Sequence, residues 1–286
     1  MLKTVAAGGL TSAAILTAPF AAALAQTADE TEPLTVKGEI RQSVSKWCFN
    51  NIPFGEFCKI CKKLGLVAID LVDPKDWDTV LTHDLAVGMS NVPGANIGKG
   101  LNRLEHHEFL VPIYEKLIPQ AAEKKVANLI CFSGNCEGLD RETGLENCLV
   151  GLKKIMPTAE KYGVNIMLEL LNSKGHKDYM ADNTPWGGKL TRKLGSERFK
   201  LLYDIYHMQR MEGELIEMIT NYKDCIGHYH TAGNPGRKDL DDQQEIYYPA
   251  VIRTIKNTGF KGFVAHEFSP KHGIQSLRDA VKTCDV

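Results

Sequence analysis

The sequence predicts an α/β protein, a closed (β/α)8 barrel, on three observations. After residue 38, short apolar runs alternate strictly with longer segments of helical period, the pattern of parallel strands joined by helical crossovers. Eight such runs occur, which is the number that closes a barrel. The chain has 286 residues, enough for a domain of this kind at roughly 250 residues. An open doubly wound sheet would place a Gly-rich fingerprint after its first strand, and CFNNIPFGEF carries none.

The elements follow in order. Residues 1–25 hold one cation, Lys3, then an uncharged run ending in Ala23-Leu24-Ala25, the small-x-small pattern of a signal-peptidase site. The reading is a secretory signal cut after Ala25, which places the mature protein in the periplasm or outside the cell with no membrane anchor. Pro19 and the Ala/Gly/Thr-rich character disfavour an uncleaved span. Residues 26–37 (QTADETEPLTVK) are polar and acidic and predict a disordered linker before a single barrel domain over 38–286. The eight strands are predicted at 40–49, 66–72, 85–91, 126–132, 164–171, 199–205, 225–230 and 262–268. Between them, FGEFCKICKKLG, FLVPIYEKLIPQAAEKK, TGLENCLVGLKKIMPTAEKYG and YYPAVIRTIKNTG repeat apolar residues every three or four positions and end on Lys and Gly, as helices do.

Composition narrows the function classes. Hydrophobic content of 43% and charged content of 24% are those of a globular domain, and a net charge of -1 supplies no basic surface for nucleic acid. Eight cysteines in an exported chain permit disulfides. Cys58 and Cys61 lie on a predicted amphipathic helix and read as buried thiols; Cys131 and Cys136, flanking a loop, are the pair best placed for a bridge.

In a barrel of this type the carboxyl ends of the strands build the active site. The last four strands end in Glu169, in Asp204, in His228-Tyr229-His230, and in His266-Glu267. Four ionisable residues at equivalent heights repel and are costly to desolvate unless a divalent cation joins them. Two Glu, one Asp and one His suit Mn²⁺ or Mg²⁺, with Co²⁺ or Zn²⁺ as further candidates. The expected metal ligands are therefore Glu169, Asp204, His230 and Glu267. Period-two alternation puts His228 on the same face as His230, one layer deeper, and turns His266 away from Glu267 toward the helices. His207, three residues past Asp204, is placed at the start of a loop within reach of a substrate hydroxyl; Arg237, closing the turn GNPGR, could grip a substrate carboxylate with two parallel hydrogen bonds.

The tracts SVSKWCF, LELLN, LLYDIYHMQRMEGEL, IGHYHTAGNPGRKD and QEIYYPAVIRTIKNTGFKGFVAHEFSP resemble the xylose isomerase-like TIM barrels, and within them the hydroxypyruvate isomerases and ketose 3-epimerases. The resemblance implies a metal-dependent isomerase working through an enediolate, with Glu169 and Glu267 as the catalytic acid and base and His207 and Arg237 as substrate-binding residues. The implied substrate is a small sugar or keto acid such as hydroxypyruvate, converted to tartronate semialdehyde. Histidine within the GHYHT strand is the epimerase form of that position, while the NPGR turn resembles hydroxypyruvate isomerase. A ketose 3-epimerase, a secreted barrel that only captures carbohydrate, and a homo-oligomer of either all stay open.

Overall fold

The computed structural model describes residues 32–286, so the signal sequence predicted at 1–25 lies outside the described residues. The strands are β1 (Arg41–Ser45), β2 (Ala68–Asp70), β3 (Ala86–Val87), β4 (Asn128–Cys131), β5 (Asn165–Leu170), β6 (Phe199–Asp204), β7 (Ile226–Thr231) and β8 (Phe263–His266). The helices are α1 (Phe54–Lys63), α2 (Trp77–Leu81), α3 (His107–Glu123), α4 (Arg141–Tyr162), α5 (Thr184–Leu194), α6 (Ile205–Met211), α7 (Leu215–Asn221), α8 (Tyr248–Asn257) and α9 (Ile274–Cys284). All strand pairs are parallel, in the order β3-β2-β1-β8-β7-β6-β5-β4, and the β1–β8 pairing brings the two halves of the chain together. The remaining seam, between β3 and β4, is closed by one bridge, Ser90 to Leu129, with Ser90 N–H donating to Asn128 O (2.9 Å) and Ile130 N–H to Ser90 O (3.1 Å). The side chain of Asn128 spans the same seam to Gly88 O at 2.7 Å.

The eight-strand (β/α)8 expectation is met, with local departures that have physical reasons. Extended structure in the first run stops at Ser45, and Lys46–Phe49 forms a 3-10 turn that tucks Cys48 and Phe49 inward. The helix read from residue 143 begins at Arg141, because Asp140 caps it by accepting from Glu142 and Thr143 N–H. Residues 32–37, expected as part of a disordered linker, lie along the barrel: Leu34 N–H donates to Lys63 O (2.9 Å), Arg278 Nη1 to Glu32 O (2.6 Å), and Lys37 N–H to the Asp285 carboxylate (2.9 Å). Leu34 and Val36 pack on the core, so this short stretch buries apolar surface that its acidic composition hid. Cys131 and Cys136, expected as the best-placed disulfide, are both free thiols. Cys131 is buried beside Cys148 of α4, whereas Cys136 is half-buried in the following loop, where its N–H donates to Asp178 O. Cys58 and Cys61 are buried thiols on α1. Among the described residues, no helix is long and apolar enough to cross a membrane.

Inside the barrel, Met89, Ile130, Met167 and Leu202 form an apolar plug. Met167 and Leu202 sit two residues below Glu169 and Asp204 on the same strand faces, so the plug floors the polar layer above it. Gly227 is an extra residue in β7 opposite the Leu201–Leu202 step, and beyond this bulge the ladder pairs Asp204 with His230.

Candidate active site

The polar layer is built by four neighbouring strands. Glu169 lies near the end of β5, Asp204 ends β6, His230 lies near the end of β7, and Glu267 follows β8 directly. All four are buried, and they offer one ligand-type atom each within 4.8 Å of one another. His230 Nδ1 is 2.7 Å from Glu267 Oε2 and 3.8 Å from Glu169 Oε1. Three carboxylates and one imidazole at this spacing match a small, hard divalent cation, so the residues present fit the expected group.

Charge compensation in the chain itself comes from above. Arg237 reaches down from the β7–α8 loop, with Nη2 2.7 Å from Glu267 Oε2 and 3.5 Å from Asp204 Oδ2. Its backbone has φ +54°, a left-handed conformation that costs a non-glycine residue about 1 kcal/mol. The Gly233–Lys238 bridge and the bond from Ser269 N–H to Arg237 O (2.8 Å) hold it there. The guanidinium also lies 5.5 Å from the Trp47 ring and 5.9 Å from the Tyr206 ring, which confines its plane. Trp47 Nε1 donates to Glu267 Oε1 at 2.7 Å.

These neighbours set the protonation of the cluster. Burial, then repulsion from Glu267, pushes the Glu169 carboxyl up to about 8. Burial also raises Asp204, against the pull of Arg237. Burial opposes charge on Glu267 too, but Arg237 and His230 outweigh it and hold that carboxyl well below the usual range. Burial likewise disfavours charge on His230, yet Glu267 and Asp70 raise it well above an ordinary histidine, so the cation-free chain keeps a proton there.

His207 is not in a loop as expected. Asp204 Oδ1 accepts from His207 N–H (3.0 Å) and starts α6 at once, which carries His207 in its first turn. The imidazole is buried; its Nδ1 accepts from Asn172 N–H at 3.1 Å and from the Asn172 side chain, which leaves the proton on Nε2. That Nε2–H has no partner among the described residues and lies 3.6 Å from Asp204 Oδ2, an unspent donor beside the carboxylates. His176, half-buried in the loop after β5, stacks edge-on against His207 with ring centroids 5.3 Å apart. His228 lies one layer below His230, and His266 points outward to Gln42 Oε1 (2.9 Å) and Thr231 Oγ1 (3.0 Å), as strand parity requires.

Sequence reasoning missed Asp70, Trp47, Asn172 and His176. Asp70 ends β2 inside an apolar run, and the strand-tip rule that found Glu169 finds it too when applied to all eight strands. The groove of about 540 Å³ between α7 and α8 is on the outer wall and includes none of these groups. A cavity of about 440 Å³ at the β3–β4 mouth, lined by Asp73, Asn91, Asn96, Ile130 and Phe132, shares Ile130 with the plug beneath the cluster.

Residues 79–284 match the family described as xylose isomerase-like TIM barrel. The chain belongs to that family. It is 35% identical to the hydroxypyruvate isomerase of Escherichia coli over 111 residues, 39% of this chain and 43% of that enzyme. The putative hydroxypyruvate isomerase of Xenopus laevis is 26% identical over 265 residues, covering 84% of this chain and 94% of the relative. Among solved structures, a protein titled AP endonuclease, family 2, from Brucella melitensis superposes with a TM-score of 0.73 over 83% of this chain and 96% of its own. At 21% identity that likeness concerns the barrel fold alone.

Proposed function

We propose that this xylose isomerase-like barrel, an isomerase by its relatives, is a divalent-metal-dependent enzyme acting on a small α-hydroxy carbonyl compound of the hydroxypyruvate type. The observation that carries the reading is the convergence of Glu169, Asp204, His230 and Glu267 within 4.8 Å, with Arg237 contacting two of them from above. Mn²⁺ or Mg²⁺ held by those four side chains would supply Lewis-acid polarisation of a substrate carbonyl and stabilise the charge that develops on proton loss.

The chain's own residues then do the rest. Glu169 and Glu267 stand at the two ends of the four-strand arc, so one can take a proton from the carbon next to the carbonyl and the other can return one. Arg237 presents a planar, always-charged fork suited to a carboxylate or a developing oxyanion. The free Nε2–H of His207 is available to a substrate hydroxyl. Return of the proton to the neighbouring carbon gives isomerisation. Return to the same carbon from the opposite face gives epimerisation, a second reading favoured by histidine at 230 within GHYHT.

The test is Glu267→Gln, which keeps the shape and removes the base. Turnover of hydroxypyruvate and solvent-deuterium incorporation by the Mn²⁺-loaded variant should fall about 10²- to 10⁴-fold, with an unchanged circular dichroism spectrum. Wild-type rates in that variant would overturn the reading. The carbon that acquires deuterium in the wild type separates isomerase from epimerase.

A further inference from the structure

We propose that Asp70 is a positioning residue for the metal site: its carboxylate accepts the Nε2 proton of His230 and so aims Nδ1 at the space beside Glu169 and Glu267, where a cation would take the place of the Nδ1 proton. The inference rests on the metal-binding reading above. Asp70 Oδ2 lies 2.5 Å from His228 Nε2 and 3.3 Å from His230 Nε2, while Oδ1 accepts from Ser43 Oγ at 2.7 Å. Asp70, His228, His230 and Ser43 are all fully buried.

An imidazole ligates a cation through the nitrogen whose lone pair is free, and the other nitrogen must then carry the proton and pass it to an acceptor. The geometry assigns the two nitrogens of His230. Nδ1 faces Glu267 at 2.7 Å and Glu169 at 3.8 Å, so it is the nitrogen whose proton a cation among those carboxylates would replace, while Nε2 keeps its proton and meets Asp70 as the acceptor. Ser43 on β1 fixes the other carboxylate oxygen and thereby the direction of the acceptor. The fold also keeps a slot open for this carboxylate: a Cβ on Gly88 would stand 2.2 Å from Asp70 Oδ1. Asp70, His228 and His230 could themselves be taken for a second cation site, but His230 would then have to serve both clusters and His228 Nε2 is already bonded to the carboxylate.

Asp70→Asn separates these roles. Asparagine matches aspartate in size, and Ser43 can still donate to Oδ1, which turns the amide nitrogen toward the two imidazoles. An amide N–H there takes away the acceptor of the His230 Nε2 proton and favours the tautomer protonated on Nδ1, which blocks the ligand position, the same logic by which an Asp→Asn change misorients a catalytic histidine.

The experiment titrates Mn²⁺ into wild type, Asp70→Asn and Ser43→Ala by calorimetry and records ¹⁵N imidazole spectra of the Mg²⁺-loaded proteins. Asp70→Asn should lose roughly 10- to 100-fold in Mn²⁺ affinity, and Ser43→Ala about fivefold, with His230 protonated on Nε2 in the wild type and Ser43→Ala and not in Asp70→Asn. Mn²⁺ affinity of Asp70→Asn within twofold of wild type, or wild-type His230 protonated on Nδ1, overturns the proposal. Two Mn²⁺ per wild-type chain and one in Asp70→Asn also overturns it, by making Asp70 a ligand. If Asp70→Asn does not fold, an unchanged affinity in Ser43→Ala is the overturning result. Wild type that takes up no Mn²⁺ sinks the metal reading itself, a result distinct from all of these.

Discussion

The proposed cation would have to displace protons from this cluster, and Glu169 is one group that ties its binding to pH. In the cation-free chain that carboxyl is pushed up to about 8 by burial and by Glu267. Below about pH 8 it holds a proton that the cation has to expel; above it the carboxylate is already bare. Apparent Mn²⁺ affinity should therefore climb as pH rises through about 8, and the share of released protons that comes from Glu169 should shrink over the same range. Calorimetry in two buffers of different ionisation enthalpy measures both, and pH-independent binding below about 8 would contradict the assignment. At this scale, the sequence revealed polar residues whose position follows from strand ends alone: Glu169, Asp204, His230 and Glu267. It did not reveal Trp47, Asn172 or His176, because each reaches the cluster from a turn or loop whose path is set by tertiary contacts. Asp70 stands two residues from the end of LVAIDLV, as Glu169 does in VNIMLELL, so the same strand-end rule reveals it once the first four strands are included.

Two of the loops that frame the mouth depend on glycine where they cross. The β3–α3 and β4–α4 loops cross at Gly100 and Gly134, and a Cβ on Gly100 would stand 2.2 Å from Gly134 N. Backbone cannot yield as a side-chain tip can. Gly100→Ala should cost about 2 kcal/mol and lower the melting temperature by roughly 4–8 °C, read by calorimetry. A melting curve identical to wild type would mean that the crossing opens freely. Helices were legible at this scale wherever the period of three to four ran long, as in α3 and α4. The short α6 was not, because seven residues carry too little periodicity, and its start is dictated by the side chain of Asp204, which also belongs to the cluster. One residue thus ends a strand, caps a helix and faces the ligand site.

For the molecule as a whole, strand number and order were readable from alternation, but the quality of closure was not, since it depends on pairing lengths that a run of apolar letters does not encode. β5, β6 and β7 are each six residues long, whereas β3 has two, and β3 meets β4 through a single bridge. Hydrogen exchange should therefore release the Ser90 and Ile130 amides before those of Leu202 and Tyr203. Equal protection would show that the barrel opens as one unit.

That seam also separates two tasks. The residues proposed to hold the cation lie on β5 to β8, in the well-paired part of the wall, while the cavity lined by Asp73, Asn91, Asn96 and Phe132 sits at the weakly stitched side. Residues 93–97, which line that cavity short of the Gly100 crossing, could be exchanged or lengthened to widen the mouth while the chemistry stays where it is, which makes this seam the natural place to retool the enzyme.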